Sequence, residues 1–238
     1  MELLKHTLYI NLDHRTDRLE HLEIELAKIG MKELAERFPA VRMPAGNVGC
    51  TLSHIRCIEL AKKRGWPYVF VCEDDITFTD PDRFLKSLSE FSKSSIKWDV
   101  LIIGGNNCFP YEQISESYAR VHNIQTTTGY IVNTSYYDVL LENFKEGLGK
   151  LLREPQNKKQ FSLDIYWKPL QQAGMWFMIT PATVIQYYDY SDIEEKVVDY
   201  GPMMLDLEKR ALMEKYRLEM EKNQEQFQKQ QFFSMNFR

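Results

Sequence analysis

The sequence predicts an α/β layered fold. Short apolar strands alternate with one-sided amphipathic helices, the helices close at glycines, and several strands run into polar or acidic turns. His6–Leu12 alternates in hydrophobicity and stops in Asn11-Leu12-Asp13, a strand entering a polar turn. In Thr16–Ile29, Leu19, Leu22, Leu26 and Ile29 recur at three- and four-residue spacing, which predicts a helix closed by Gly30. Phe38–Met43 reads as a second short strand. Thr51–Lys63 sets Leu52, Ile55, Ile58 and Leu60 on a broad apolar face and ends at Gly65. Pro67 opens the strand Tyr68–Cys72, which runs into Glu73-Asp74-Asp75.

Asp80 is placed as the N-cap of a helix over Pro81–Phe91, with Pro81 in its first turn. Trp98–Ile103 reads as a strand ending in Gly104-Gly105-Asn106-Asn107. Tyr118–Asn133 reads as two strand pieces broken near Thr126–Gly129, followed by a helix from Ser135 to about Phe144. Gly147–Lys159, polar and basic, is expected as a surface loop, Leu163–Gln171 as a short helix and Trp176–Ile179 as a strand. From Leu205 to Gln231 there is no glycine or proline, and Met213, Tyr216, Met220 and Phe227 form a stripe. That stripe predicts a long helix packing on its own domain or joining a homo-oligomer. Residues 1–200 are thus expected as one domain and 201–238 as a helical extension.

Composition narrows the function. The chain has 238 residues with 30 Lys+Arg against 34 Asp+Glu, a net charge of −4 that supplies no basic field for nucleic acid. No apolar run approaches the ~20 residues that span a bilayer, so no transmembrane segment is expected. The N-terminus enters an apparent strand without a secretory h-region. Cys50, Cys57, Cys72 and Cys108 show no CxxC or His/Cys ligand spacing. Four free thiols without a leader predict cytoplasmic residence.

Three acidic groups at the end of a buried strand are the most informative feature, because ligands of open α/β sheets bind beyond the carboxyl ends of the strands. Carboxylates crowded there repel one another and lose hydration, so a hard cation is their natural partner. Strand alternation places Glu73 and Asp75 on one side and Asp74 on the other; the alternative is that Asp74 and Asp75 only cap the following turn. Arg15 and Arg18, three residues apart, share a face at the start of the first helix, where free N–H groups and the helix dipole favour phosphate. The alternative is a solvated pair balanced by Asp13 and Asp17; their position just after the first strand, where a nucleotide pocket would open, favours the phosphate reading. Ser53-His54 stands at a helix start and can meet a phosphate or sugar hydroxyl or serve structure alone. Gly129 either admits a sugar against the backbone or marks a bulge. Asp164 by itself reads as a surface or capping group.

Together these pieces form a pattern. Tyr9-Ile-Asn-Leu-Asp-His-Arg-Thr-Asp-Arg18 resembles the opening of glycosyltransferase family 25, which contains bacterial lipopolysaccharide galactosyltransferases and procollagen galactosyltransferases. Phe38-Pro-Ala-Val41, Gly49-Cys-Thr-Leu-Ser-His54 and Val71-Cys-Glu-Asp-Asp75 resemble its next blocks. Thr128-Gly-Tyr-Ile-Val-Asn133, and Pro181 to Gln186 with Ser191-Asp-Ile193, resemble its closing ones, so the likeness spans about residues 6–195. Cys72 departs from the usual aliphatic residue, and no histidine follows His122 to act as a late metal ligand.

The resemblance implies a GT-A-like nucleotide-sugar-binding sandwich with a central mixed, mostly parallel sheet. It implies inverting transfer of galactose or glucose from a UDP-sugar to a glycan or hydroxylated, collagen-like protein, assisted by Mn²⁺ or Mg²⁺. It assigns Asp75 and Glu73 to the metal, and Asn11, Arg15, Arg18, Ser53, His54, Glu73, Asp74, Gly129 and Gln186 to the donor. Asp164, ahead of Asp74, becomes the catalytic base. The competing reading is a degenerate relative that binds a glycan or scaffolds a partner.

Overall fold

A computed structural model describes residues 2–191, 193, 196–209, 214, 217 and 218. The elements follow the alternation expected. Strand β1 (Thr7–Asn11) leads to α1 (Thr16–Lys28), β2 (Glu36–Pro39), α2 (Gly46–Lys63), β3 (Tyr68–Glu73), the short β4 (Ile76–Phe78) and α3 (Pro81–Lys93). Then come β5 (Val100–Asn107), β6 (Tyr111–Ser115), β7 (Tyr118–Val121), β8 (Ile124–Asn133) and α4 (Tyr137–Arg153). Three short helices follow, α5 (Lys158–Phe161), α6 (Leu163–Tyr166) and α7 (Lys168–Ala173). The last elements are β9 (Trp176–Ile179), β10 (Val184–Gln186), β11 (Asp189–Ser191), β12 (Lys196–Val198) and α8 (Gly201–Leu205).

The central sheet has eight strands in the order β2-β1-β3-β8-β5-β9-β7-β6, and only β7 and β8 run against the rest. It is therefore mixed and mostly parallel, as expected. Side chains alternate between two cores. Val69, Val71, Val100, Ile102, Tyr130 and Val132 face Ile55 and Ile58 of α2 and Leu140 and Phe144 of α4. Phe70, Cys72, Leu101, Ile103 and Ile131 face Leu22 and Leu26 of α1 and Phe84, Leu88 and Phe91 of α3. Period-two strands against helical stripes on both faces make a three-layer sandwich. Asp80 caps α3 as expected, its Oδ1 accepting the Arg83 N–H at 3.0 Å.

Several expectations are corrected. The loop expected over 147–159 is instead the continuation of α4 through Gly147 and Gly149 to Arg153, with a turn of 3₁₀ helix and α5 beyond it. Leu151 carries the apolar stripe onward, fully buried, and packing outweighs the glycines' weak helix propensity. Gly147 is required by close approach: a Cβ there would lie 2.7 Å from Tyr166 Cδ1. Gly147→Ala is therefore expected to destabilise the fold by about 1–3 kcal/mol although alanine is the better helix former, as urea unfolding would measure. Gly149, with open space around its Cβ position, is the control whose alanine variant should not destabilise.

In the 118–133 strand region β7 and β8 separate at residues 122–123, and the irregularity expected near Thr126–Gly129 is a register shift inside β8 between Gln125 and Gly129, with Thr126 at φ 69°. The helix expected over 163–171 is split at Trp167. The helix expected from Leu205 does not begin there: α8 stops at that residue, a turn follows, and Lys209 adopts φ 54°; within the expected range Glu214, Arg217 and Leu218 are helical. The stripe from Met213 to Phe227 lies outside the described residues. Beyond residue 200, Met204 is fully buried and the Asn107 Nδ2–H donates to Leu207 O at 3.4 Å. Among the described residues no helix is long and apolar enough to cross a membrane.

Candidate functional site

The carboxyl ends of β1, β3 and β5 and the start of β8 converge at one edge of the sheet, where two cavities open. The first, about 310 Å³, is lined by Arg15, Arg18, Ser53, His54, Asp74 and Asp75 among others. The second, about 390 Å³, is lined by Asn106, Thr126, Thr127, Lys158, Asp164 and Tyr200 among others. Cys50, Glu73 and Gln186 line both, so the two cavities meet at the acidic strand end.

Strand β3 stops at Glu73, and Asp74-Asp75 form the tight turn into β4, so strict strand alternation ends with Glu73. The three acids have different environments. Glu73 Oε1 accepts a hydrogen bond from the Thr127 hydroxyl and lies 3.3 Å from His54 Nε2. Burial opposes its charge, but these hydrogen bonds and the His54 and Arg18 charges outweigh it and hold its pKa below the usual carboxylate range. Asp74 accepts from Asn11 Nδ2 at 2.8 Å and from an Arg18 N–H at 3.1 Å, one bond to each oxygen.

Asp75 is different. Its Oδ2 accepts from Gln186 Nε2 at 3.3 Å and stands 3.7 Å from Arg18, while its Oδ1 is buried with no hydrogen-bond partner among the described residues. Burial, followed by the charge of Glu73, pushes its carboxyl up to about 8. Gln186 Oε1 is likewise buried and unpartnered. Two orphaned oxygens beside a desolvated carboxyl are a suitable donor set for a hard divalent cation, which takes oxygen ligands.

The arginines anchor the neighbouring chain. Arg18 donates to Asp189 at 3.1 Å and to Tyr190 O at 2.9 Å as well as to Asp74. Arg15 donates to Asp17 at 2.8 Å and to Asp189 at 2.5 Å. The acids at the strand end are therefore partly compensated from within the chain, and Asp13 pairs with Arg37 at 2.7 Å rather than with Arg15 or Arg18. Asn11, at the end of β1, donates to both Asp74 and Arg15 O and accepts from Arg37 Nε at 3.1 Å, knitting β1 to the acid turn.

Ser53 lies at the first cavity but its hydroxyl is spent on backbone, accepting the Val41 N–H at 2.8 Å and donating to Gly49 O at 2.8 Å. This clamp, with Gly49 so close that a Cβ would stand 2.3 Å from Val41 O, presses α2 onto the 41–43 segment. His54 is fully buried, its Nδ1 lying 2.8 Å from the Tyr130 hydroxyl. Gly129 lines neither cavity: a Cβ there would face Ile76 at 3.0 Å and Phe70 at 3.2 Å, in the core. Asp164 faces the second cavity, with Oδ2 accepting the Thr126 N–H at 3.0 Å. Burial raises its pKa above the ordinary value, against the pull of that hydrogen bond.

Cys50, Asn106, Thr127 and Asp189 escaped the sequence reading. Cys50, His54 and Glu73 bring one ligand atom each within 4.8 Å of one another, a group able to hold a metal ion. This corrects the expectation of no His/Cys ligand spacing, since Cys50 and His54 stand four residues apart on α2 and one helical face supplies both. A histidine thus adjoins the acid motif from upstream of it.

Residues 31–148 match the family described as glycosyltransferase family 25 (LPS biosynthesis protein). No curated protein matches the sequence. Among solved structures, a glycosyltransferase involved in the glycosylation of the major capsid of PBCV-1 is similar at 9% identity and TM-score 0.49, over 76% of this chain and 92% of that one. An apo UDP-glucose pyrophosphorylase is similar at 10% identity and TM-score 0.43, over 73% and 72% of the two chains. A Drosophila beta-1,4-galactosyltransferase 7, solved with manganese, UDP-Gal and xylobiose, is similar at 12% identity and TM-score 0.37, over 58% and 52%.

Proposed function

The chain belongs to glycosyltransferase family 25, and on that premise we propose that it transfers a hexose, galactose or glucose, from a UDP-sugar to a hydroxyl of a glycan or hydroxylated protein, inverting the anomeric centre. The observation that carries this reading is the buried Asp75 Oδ1, without a hydrogen-bond partner among the described residues, at the first cavity beside Glu73 and Gln186, which line both. Asp75, with Glu73, would hold Mn²⁺ or Mg²⁺. Bound there, the ion would offset charge on the departing diphosphate.

The residues divide the remaining work between the cavities. The first, beside the N-terminus of α1, takes the nucleotide diphosphate; Arg15 and Arg18 border it, and Asn11 and Asp74 keep β1, α1 and the acid turn in register. The second takes the acceptor hydroxyl. Its oxygen attacks the anomeric carbon from the face opposite the diphosphate, the bond from that carbon to the diphosphate oxygen breaks, and Asp164 takes the hydroxyl proton. Burial suits Asp164 to this role by raising its affinity for a proton. Asp164→Asn should lower kcat by about 10²–10⁴-fold with unchanged donor affinity, as turnover and calorimetry would show. Near-normal turnover would remove Asp164 from the reaction.

The deciding experiment is a donor screen. UDP release from each UDP-sugar, with Mn²⁺, with Mg²⁺ and with EDTA, is expected to require both a hexose donor and the ion. Release unaffected by chelator would remove the metal. Neither release nor donor binding would leave a glycan-binding or scaffold protein built on the same fold.

A further inference from the structure

We propose that Cys50, His54 and Glu73 form a second metal site, selective for a thiophilic divalent ion of the Zn²⁺ class, with one coordination position open where the two cavities meet. Helix α2 stacks Cys50 and His54 one turn apart, and β3 brings Glu73 opposite them, so all three ligand atoms lie within 4.8 Å of one another. Ligand atoms around a tetrahedral zinc stand roughly 3–4 Å apart, so closure asks for movement on the order of 1 Å.

The supporting contacts are those a zinc site needs. His54 Nδ1 is engaged by the Tyr130 hydroxyl at 2.8 Å, which fixes the ring and leaves Nε2 toward Glu73 at 3.3 Å. The Thr127 hydroxyl donates to Glu73 Oε1 and orients that carboxylate. One sulfur, one nitrogen and one carboxylate oxygen suit zinc or cobalt and discriminate against magnesium, whereas Asp75 and Gln186 offer oxygen alone. Coordination would release the Cys50 proton to solvent, and thiolate plus carboxylate then balance the ion's two charges. Cys50 lines both cavities, which gives the ion its way in.

Both sites draw on Glu73. Occupancy of the second should therefore withdraw a ligand from the first and inhibit transfer, a consequence that rests on the function proposed above. The site itself does not, and it is tested without turnover.

Co²⁺ alone, titrated anaerobically into the full chain, is expected to give an intense near-ultraviolet thiolate-to-cobalt band that saturates at one ion per chain and is bleached by one equivalent of Zn²⁺. Cys50→Ser should abolish the band. His54→Gln, which keeps the thiol, should weaken Co²⁺ binding by at least about 10-fold, with circular dichroism confirming that both variants fold. Only weak visible absorption without a thiolate band, or a band that survives Cys50→Ser, would overturn the site. Should the band form while Zn²⁺ leaves Mn²⁺-supported UDP release unchanged, the inhibitory consequence is refuted.

Discussion

Asp75→Asn is expected to lower UDP release by roughly 10²–10³-fold and, in the same protein, to raise Tm at pH 8. Both effects follow from one feature: Asp75 is buried, one oxygen lacks a partner, and its carboxyl titrates near 8 in the fold. An unfolded aspartate titrates at about 4. Because the folded value is the higher one, Asp75's contribution is most favourable below about pH 4 and is lost as pH rises toward 8. The metal-free wild type should therefore lose Tm across that window, and the amide variant, which has no charge to desolvate, should lose less. Mn²⁺ should restore Tm to the wild type at high pH and leave the variant unmoved. Differential scanning calorimetry from pH 5 to 8, with and without Mn²⁺, measures all of this. A variant no more stable than wild type at pH 8 would refute the cost of burying the Asp75 charge, and one equally stabilised by Mn²⁺ would show that the carboxylate is not the cation's seat.

Such a trade of stability for function explains what could be read from the chain. The helices α1 and α3 and the strand β9 were legible because each carries its own periodicity, and Asp80 signals the start of α3. The acid run was legible because three charges cannot end a buried strand without a partner. Their actual partners were not. Gln186 reaches Asp75 across 111 positions and Asp189 reaches Arg18 across 171, from strands of three residues each, too short to show a period. The continuation of α4 through two glycines was hidden because what requires Gly147 is Tyr166, on a later helix. Gly129 misled for a related reason: the small side chain admits core residues rather than a sugar. Ser53 and His54 stand two turns inside α2, which begins at Gly46, and not at the helix start expected for them; their bonds to Val41 and Tyr130 depend on tertiary packing.

Arg18→Met is expected to be the most destabilising single change at the site, at about 3–5 kcal/mol in urea unfolding. Arg18 is largely buried and is the cation that faces Asp74, Asp75 and Asp189 together, at 3.1, 3.7 and 3.1 Å, while also donating to Tyr190 O. Its removal leaves a buried cluster of acids without that charge and leaves Arg15 to hold Asp189 of β11. The methionine fills the stem's volume, so the loss reads the charge and the hydrogen bonds rather than a cavity. Arg18→Lys should recover only part of the stability, because a single ammonium cannot present the planar fork that divides its donors among two carboxylates and a carbonyl. The double variant Arg18→Met with Asp75→Asn should be more stable than Arg18→Met alone, since one of the stranded charges is gone; a strictly additive pair would mean that Arg18 and Asp75 do not interact. Lowering pH toward 5 should likewise rescue Arg18→Met more than the wild type, because protonating the stranded acids does what the guanidinium did.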